Sequence, residues 1–142
     1  MPDSSKVQIL LVDDDPGIRE TLEILLMSAG YDVATVDNGV SAISHLNRTV
    51  PDLLVTDLNM PFMSGLELIS HVRSRHPLVA IVAMSGNYHG DAVPAGVIAD
   101  RFYLKGQPSR NLLTTIANLI ATNPVRVSAQ DSSTRPALDS SR

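Results

Sequence analysis

Five short apolar segments recur along the chain and alternate with stretches in which apolar residues return at helical spacing. Segments of this length that are apolar at nearly every position are typical of strands buried on both faces of a parallel sheet. The predicted strands are Val7–Val12, Tyr31–Val36, Leu53–Thr56, Val79–Met84 and Arg101–Leu104. The second and fifth are shorter or more polar than the others, which indicates edge positions in the sheet.

The segments between these strands carry the start and stop signals of helices. Polar capping residues or prolines precede most apolar-periodic stretches, and glycine or proline follows them. The predicted starts are Asp15-Pro16, Asn38-Gly39, Ser64, Asp91 and Pro108, and the stop signals include Gly30, Pro77 and Pro124. The segment Asp91–Asp100 also contains Pro94 and Gly96, so we expect a short or distorted helix there.

Five strand–helix units with short connections predict a parallel sheet covered by helices on both faces. The first, third and fourth strands are the most apolar and should be central, which gives the strand order 2-1-3-4-5. This is the flavodoxin-like, doubly wound α/β arrangement, which binds ligands at the carboxyl edge between strands one and three. We expect one domain over residues 6–122 and a disordered polar tail over residues 123–142.

Composition narrows the possible functions. The 142 residues carry a formal net charge of −4 and no cysteine, so we expect neither thiolate chemistry nor direct binding of nucleic acid through its phosphates. No apolar run reaches the ~20 residues of a membrane helix, and the first residues lack a signal-peptide pattern. The expected location is the cytoplasm, without a membrane partner.

Residues with distinct chemistry follow four of the predicted strands. Asp13 and Asp14 follow the first strand, Asp57 the third, Ser85 the fourth and Lys105 the fifth. The carboxyl ends of parallel strands share one edge, where like charges ~4 Å apart repel by roughly 4 kcal/mol at an effective dielectric of ~20. Clustered carboxylates without histidine or cysteine suit Mg²⁺. With a lysine and a serine beside them they suit phosphoryl transfer, in which Asp57 would be the nucleophile.

Together these residues resemble the receiver domain of two-component response regulators. The motifs that carry the resemblance are Leu11 to Pro16, Asp57 to Pro61, Gly65, Ser85 and Lys105. The resemblance extends over about residues 6–122 and is specific in the combination of motifs. It implies that a sensor histidine kinase or a phosphotransfer protein passes a phosphoryl group from phosphohistidine to Asp57. The domain would then be a regulatory phosphoacceptor rather than an enzyme.

The resemblance also implies roles around the acceptor. Asp14, Asp57 and the backbone carbonyl of Asn59 would bind Mg²⁺ directly, whereas Asp13 would act through a metal-bound water. Lys105 would pair first with Asp57 and then with the phosphoryl oxygens.

A switch is implied as well. Ser85 would move to donate a hydrogen bond to the phosphoryl group, and Phe102 would change its packing when Ser85 moves. The altered surface would be read by a downstream protein whose identity the sequence does not reveal. The chain itself would be a monomer or a weak dimer.

The segment around Lys105 departs from the family pattern. The family usually has proline after this lysine, whereas this chain has Gly106-Gln107-Pro108, and Ile98 stands where glycine is usual. We therefore expect a more mobile loop over residues 105–108 and a lysine that is held less firmly.

Three other classes remain as alternatives. A haloacid-dehalogenase-like phosphatase also uses Asp, Ser, Lys and Mg²⁺, but it needs a second acid where this chain has Asn59. A flavodoxin would bind a phosphate in its first loop, and the aspartates at 13–15 would repel that phosphate. A receiver-fold interaction module that takes no phosphoryl group is compatible with the unusual 98–107 region. Titration with beryllofluoride, with and without Mg²⁺, would distinguish this last alternative.

Overall fold

A computed structural model describes residues 6–86 and 99–122 of the chain. The strands are β1 (Gln8–Val12), β2 (Asp32–Val36), β3 (Leu53–Asp57), β4 (Ala80–Ser85) and β5 (Arg101–Leu104). The helices are α1 (Pro16–Ser28), α2 (Gly39–Leu46), α3 (Gly65–Arg75) and α4 (Arg110–Thr122). All strands are parallel, in the order β2-β1-β3-β4-β5. The predicted fold class and strand order are confirmed.

Two predicted segments fall largely outside this description. The predicted helix Asp91–Asp100 lies there except for residues 99 and 100, which belong to no helix, and the predicted tail over 123–142 lies wholly outside it. In the part of the chain that is described, every helix is too short or too polar to cross a lipid bilayer.

The three central strands are buried on both faces. All residues of β3 and β4 are buried, as is β1 from its second residue onward. One face of the sheet packs against α1 and α4, for example through Leu26 and Ile116. The other face packs against α2 and α3, for example through Leu46 and Val72. Because successive side chains of a strand point to opposite faces, burial on both sides explains why these segments are apolar at nearly every position.

Side-chain caps set the helix starts beside the carboxyl edge of the sheet. Oδ1 of Asp15 accepts hydrogen bonds from the N–H groups of Gly17 and Ile18, at 2.9 and 3.1 Å. Ser64, the predicted start of α3, forms a reciprocal capping box with Glu67. Each such cap contributes about 1 kcal/mol. The caps therefore fix where the loops that follow β1 and β3 end.

Candidate functional site

The carboxyl ends of four strands meet at one edge of the sheet. Asp13 directly follows β1, Asp57 is the last residue of β3, Ser85 is the last residue of β4, and Lys105 directly follows β5. A hydrogen bond joins the ends of β5 and β4, because the N–H of Lys105 donates to the carbonyl of Ser85 at 3.0 Å. The parallel register thus brings together residues that are up to 92 positions apart in the sequence, since 105 − 13 = 92.

Three carboxylates form an acidic cluster at this edge. Asp13, Asp14 and Asp57 each offer an oxygen, and these oxygens all lie within 4.8 Å of one another. Asp13 and Asp57 are buried, whereas Asp14 is exposed. The third aspartate of the run, Asp15, is engaged as the cap of α1. The triple aspartate therefore divides into two pocket carboxylates and one helix cap.

Lys105 bridges two members of this cluster. Its Nζ lies 2.7 Å from Oδ2 of Asp13 and 3.1 Å from Oδ2 of Asp57, and its side chain is 16% exposed. The sequence suggested only the partner Asp57, so the contact with Asp13 is additional. Burial acts to lower the pKa of Lys105, but the hydrogen bond to Asp13 and the charges of both carboxylates raise that pKa above its ordinary value. The ammonium group is therefore charged at neutral pH.

Burial raises the pKa of Asp57 above its ordinary value of 3.8. A hydrogen bond from the N–H of Asn59, at 3.2 Å, and the charge of Lys105 oppose that shift. A carboxyl group whose pKa is raised by folding destabilises the folded state once it ionises. This destabilisation develops as the pH rises above 3.8, is present at neutral pH, and would be relieved by a bound cation.

The donor set fits a hard divalent cation such as Mg²⁺. Oδ1 of Asp13 accepts the N–H of Asp15 at 2.9 Å, and the main-chain carbonyl of Asp13 accepts Nη1 of Arg19 at 2.8 Å. Oδ2 of Asp13 is buried and lies 2.7 Å from Nζ of Lys105, which is the positive charge that balances it in this structure. Three carboxylates that each bring an oxygen within 4.8 Å of the others are a ligand set that an oxygen-seeking cation prefers. Arg19 had no signal in the sequence beyond its place on α1.

A close backbone contact positions the loop after Asp57. A Cβ atom added at Gly65 would lie 2.1 Å from the main-chain oxygen of Asp57 and 2.6 Å from Cα of Leu58. The N–H of Gly65 also donates to the carbonyl of Leu58 at 3.0 Å. Only glycine permits α3 to begin this close to the end of β3. Gly65 therefore sets the position of the loop that follows Asp57.

The residues with predicted switch roles lie on two neighbouring strands. Ser85 is buried at the end of β4. Phe102, on β5, is half-buried, pairs with Ala83 and packs against the α2 and α3 side of the sheet. Asn59 is exposed and contacts Asp57 through its N–H. The switching roles of Ser85 and Phe102, and metal binding by the carbonyl of Asn59, stay predictions.

A cavity of about 460 Å³ opens beside the acidic cluster. It lies between the first turns of α1 and the turn that follows β5. Its lining consists of Asp15, Gly17, Ile18, Thr21, Leu22, Tyr103, Lys105 and Gly106. Lys105 thus borders both the acidic cluster and a partly apolar hollow on the surface.

The family of this chain follows from comparison with known proteins. The sequence model described as the response regulator receiver domain matches residues 9–117. The chain belongs to the response regulator receiver domain family, as the sequence motifs predicted. A receiver domain is a signalling domain of a two-component regulator rather than an enzyme in the usual sense.

Two curated relatives illustrate the match. The DNA-binding transcriptional regulator NtrC of Escherichia coli K12 is 37% identical over 84 residues, which cover 59% of this chain and 18% of NtrC. The C4-dicarboxylate transport transcriptional regulatory protein DctD of Pseudomonas aeruginosa is 33% identical over 120 residues, covering 81% of this chain and 25% of DctD. This chain therefore spans a quarter or less of the length of these relatives.

Solved structures match over a larger share of their length. The response regulator TrrA of Thermotoga maritima, in complex with Mg²⁺ and beryllofluoride, has a TM-score of 0.74 and 30% identity, covering 80% of this chain and 98% of TrrA. TrrA has also been solved in complex with the histidine kinase ThkA. The chemotaxis response regulator CheY4 of Vibrio cholerae has a TM-score of 0.73 and 27% identity, again covering 80% of this chain and 98% of CheY4.

Proposed function

We propose that this receiver domain accepts a phosphoryl group on Asp57, in a Mg²⁺-dependent transfer from a phosphohistidine. The donor would be a sensor histidine kinase or a phosphotransfer protein. The observation that carries the proposal is the placement of Asp57, with its carboxylate in a cluster with Asp13 and Asp14 and 3.1 Å from Nζ of Lys105. The TrrA complexes with Mg²⁺–beryllofluoride and with a histidine kinase support it by analogy.

The transfer would be a substitution at phosphorus. A carboxylate oxygen of Asp57 forms the new P–O bond, the P–N bond to the donor imidazole breaks, and the imidazole nitrogen keeps that electron pair and takes up a proton. Phosphoryl transfer depends mainly on positioning and on charge neutralisation. Lys105 would supply one positive charge to the phosphoryl oxygens, because its ammonium already contacts the acceptor carboxylate.

The acidic cluster would hold the metal beside the acceptor. Asp14, Asp57 and the backbone carbonyl of Asn59 would be direct ligands, and Asp13 would act through a bound water. When bound, Mg²⁺ supplies positive charge that offsets the repulsion between the carboxylates and the incoming phosphoryl oxygens. The close approach of the Asp13, Asp14 and Asp57 carboxylates, whose oxygens lie within 4.8 Å of one another, supports this arrangement.

Phosphorylation of Asp57 would then change the structure at the neighbouring strands β4 and β5. An added phosphoryl group brings negative charge, about −1.5 to −2 for phosphorylated hydroxyl residues, and new acceptor oxygens next to Ser85. The Ser85 hydroxyl would donate to it, and Phe102 would repack in response, which changes the surface that a downstream protein reads. We propose that this occurs in the cytoplasm and without direct DNA contact by this chain, whose net charge is −4.

Chemical labelling tests the proposal. Incubation with radiolabelled acetyl phosphate should label the protein in the presence of Mg²⁺, and EDTA should prevent labelling because the carboxylate repulsion is then uncompensated. Borohydride converts an aspartyl phosphate to homoserine, which mass spectrometry should locate at position 57.

Two outcomes would contradict the proposal. Homoserine at position 13 or 14 would reject Asp57 as the acceptor. A protein that binds Mg²⁺ but takes neither label nor beryllofluoride would instead be a receiver-fold interaction module that works without phosphorylation.

A further inference from the structure

The turn after Lys105 is built around a glycine. Gly106 lies in the left-handed region with φ of 97°, and no described residue has an atom within 4 Å of a Cβ atom placed there. The N–H of Gln107 donates to the carbonyl of Leu104 at 3.2 Å, which closes the turn. Glycine is the most permissive residue for backbone conformation. The sequence of this turn therefore does not by itself hold Lys105 in place.

A tyrosine side chain reaches this turn from the core. The hydroxyl of Tyr103 donates to the main-chain carbonyl of Gln107 at 3.0 Å. Tyr103 is only 6% exposed, and it belongs to the core formed by the sheet with α1 and α4. Its neighbour across the sheet is Met84 of β4. A largely buried tyrosine thus holds the far end of the turn.

The near end of the turn is already fixed by the sheet. The N–H of Lys105 donates to the carbonyl of Ser85, so the backbone at the base of the lysine is part of the β4–β5 pairing. The side chain must then bring Nζ to 2.7 Å from one carboxylate and 3.1 Å from another. A lysine side chain loses much rotamer freedom when it is held in one such arrangement. The backbone at Lys105 must therefore direct the side chain toward the two carboxylates.

We propose that Tyr103 is a positioning residue for Lys105. The hydrogen bond from its hydroxyl to Gln107 holds the 105–107 turn in the form that directs the ammonium between Asp13 and Asp57. In this chain it does what a rigid residue after the lysine would otherwise do. The inference rests on the proposed function, in which Lys105 supports phosphoryl transfer to Asp57.

Two conservative variants distinguish the effect of the Tyr103 hydroxyl from that of its ring. Tyr103→Phe keeps the buried ring and removes only the hydrogen bond to the turn. Tyr31→Phe is the matched control, because Tyr31 packs against the same core and its hydroxyl has no hydrogen-bond partner among the described residues. At saturating Mg²⁺, labelling by acetyl phosphate should slow about fivefold in Tyr103→Phe, the loss expected from one typical hydrogen bond. It should be unchanged in Tyr31→Phe.

A double variant tests whether Tyr103 acts through Lys105. On a Lys105→Ala background, Tyr103→Phe should cause no further slowing, because there is no ammonium left to position. A general structural role of the hydroxyl would instead slow both backgrounds by the same factor.

Hydrogen exchange gives a second readout that does not depend on phosphorylation. The amide of Gln107 should exchange about fivefold faster in Tyr103→Phe, because its bond to Leu104 lies in the loosened turn. The amide of Lys105, which is bonded within the sheet, should keep its wild-type rate. Should Tyr103→Phe not fold, Gly106→Ala, which strains the same turn, should slow labelling in its place.

The inference fails if Tyr103→Phe labels at the wild-type rate, or if it slows the Lys105→Ala background by the same factor as the wild type. Absence of label on the wild type would instead mean failure of the proposed function. In that case the hydrogen exchange of the Gln107 amide still tests the inference: faster exchange in Tyr103→Phe supports it, and an unchanged rate contradicts it.

Discussion

Replacement of Asp57 by Asn is expected to reduce Mg²⁺-dependent labelling to background. The amide oxygen of Asn is a poor nucleophile, and no other described residue places a carboxylate at the end of β3. The measurement is the amount of radiolabel retained from acetyl phosphate, with Asp15→Asn as the control. Asp15 lies in the same acidic run but caps α1, and Asn can also serve as a cap. Full labelling of Asp57→Asn would contradict the assignment.

Asp57→Asn should also be folded and, without Mg²⁺, more stable than the wild type at pH 7. Burial raises the pKa of Asp57, so its ionised form destabilises the native state at neutral pH, and Asn removes that charge. The difference in the free energy of unfolding should disappear well below pH 3.8, where the wild-type carboxyl is protonated in both states. Urea unfolding at the two pH values measures it. A variant less stable than the wild type at pH 7 would show that the ion pair with Lys105 outweighs the burial.

Gly65→Ala is expected to have the largest structural effect. The added Cβ would lie 2.1 Å from the main-chain oxygen of Asp57, and backbone atoms cannot move aside as the end of a flexible side chain can. Either α3 or the loop that follows Asp57 must shift, which should lower the free energy of unfolding by roughly 1–3 kcal/mol. Labelling should slow as well, because Asp57 and Asn59 move with the loop.

Gly17→Ala is the matched control for this variant. Gly17 also lies in the first turn of a helix, and its Cβ would make only an ordinary 3.4 Å contact with Oδ1 of Asp15. Alanine forms helices better than glycine, so this variant should be unchanged or stabilised by up to about 1 kcal/mol. Equal stability of the two variants in urea unfolding would show that the close approach of α3 does not constrain the loop.

Much of the fold could be predicted because the core has a simple pattern. The strand order followed from which runs were apolar at every position, and burial of β3 and β4 on both faces is the physical cause of that pattern. The caps of α1 and α3 could be predicted because they use local hydrogen bonds between residues two or three positions apart. The predicted distorted helix at 91–100 and the predicted tail remain predictions.

The main carboxylates of the site could be predicted for the same reason. Asp13, Asp14 and Asp57 end or follow buried parallel strands, so the topology alone brings them to one edge. The supporting contacts depend on distances that no local pattern encodes. Examples are the hydrogen bond from Arg19 to the Asp13 carbonyl and the one from Tyr103 to the turn after Lys105.

Two further features lay outside the reach of the sequence. Phe62 has φ of 70° and a side chain that is 98% exposed, a backbone conformation that costs an L-residue about 1–2 kcal/mol and that apolar patterning does not reveal. The second feature is the partner of Arg73, near the end of α3. This side chain pairs with Asp100, 27 positions away, at 3.0 Å and also donates to the carbonyl of Val79.

Calorimetric titration of Mg²⁺ tests most directly whether the strand ends form one cation-binding pocket beside Asp57. We predict one site in the wild type, affinity reduced at least about tenfold in Asp14→Asn, and unchanged affinity in Asp15→Asn. These neighbouring aspartates differ in that only Asp14 contributes to the acidic cluster. No Mg²⁺ binding by the wild type, or an equal loss of affinity in the two variants, would contradict the account.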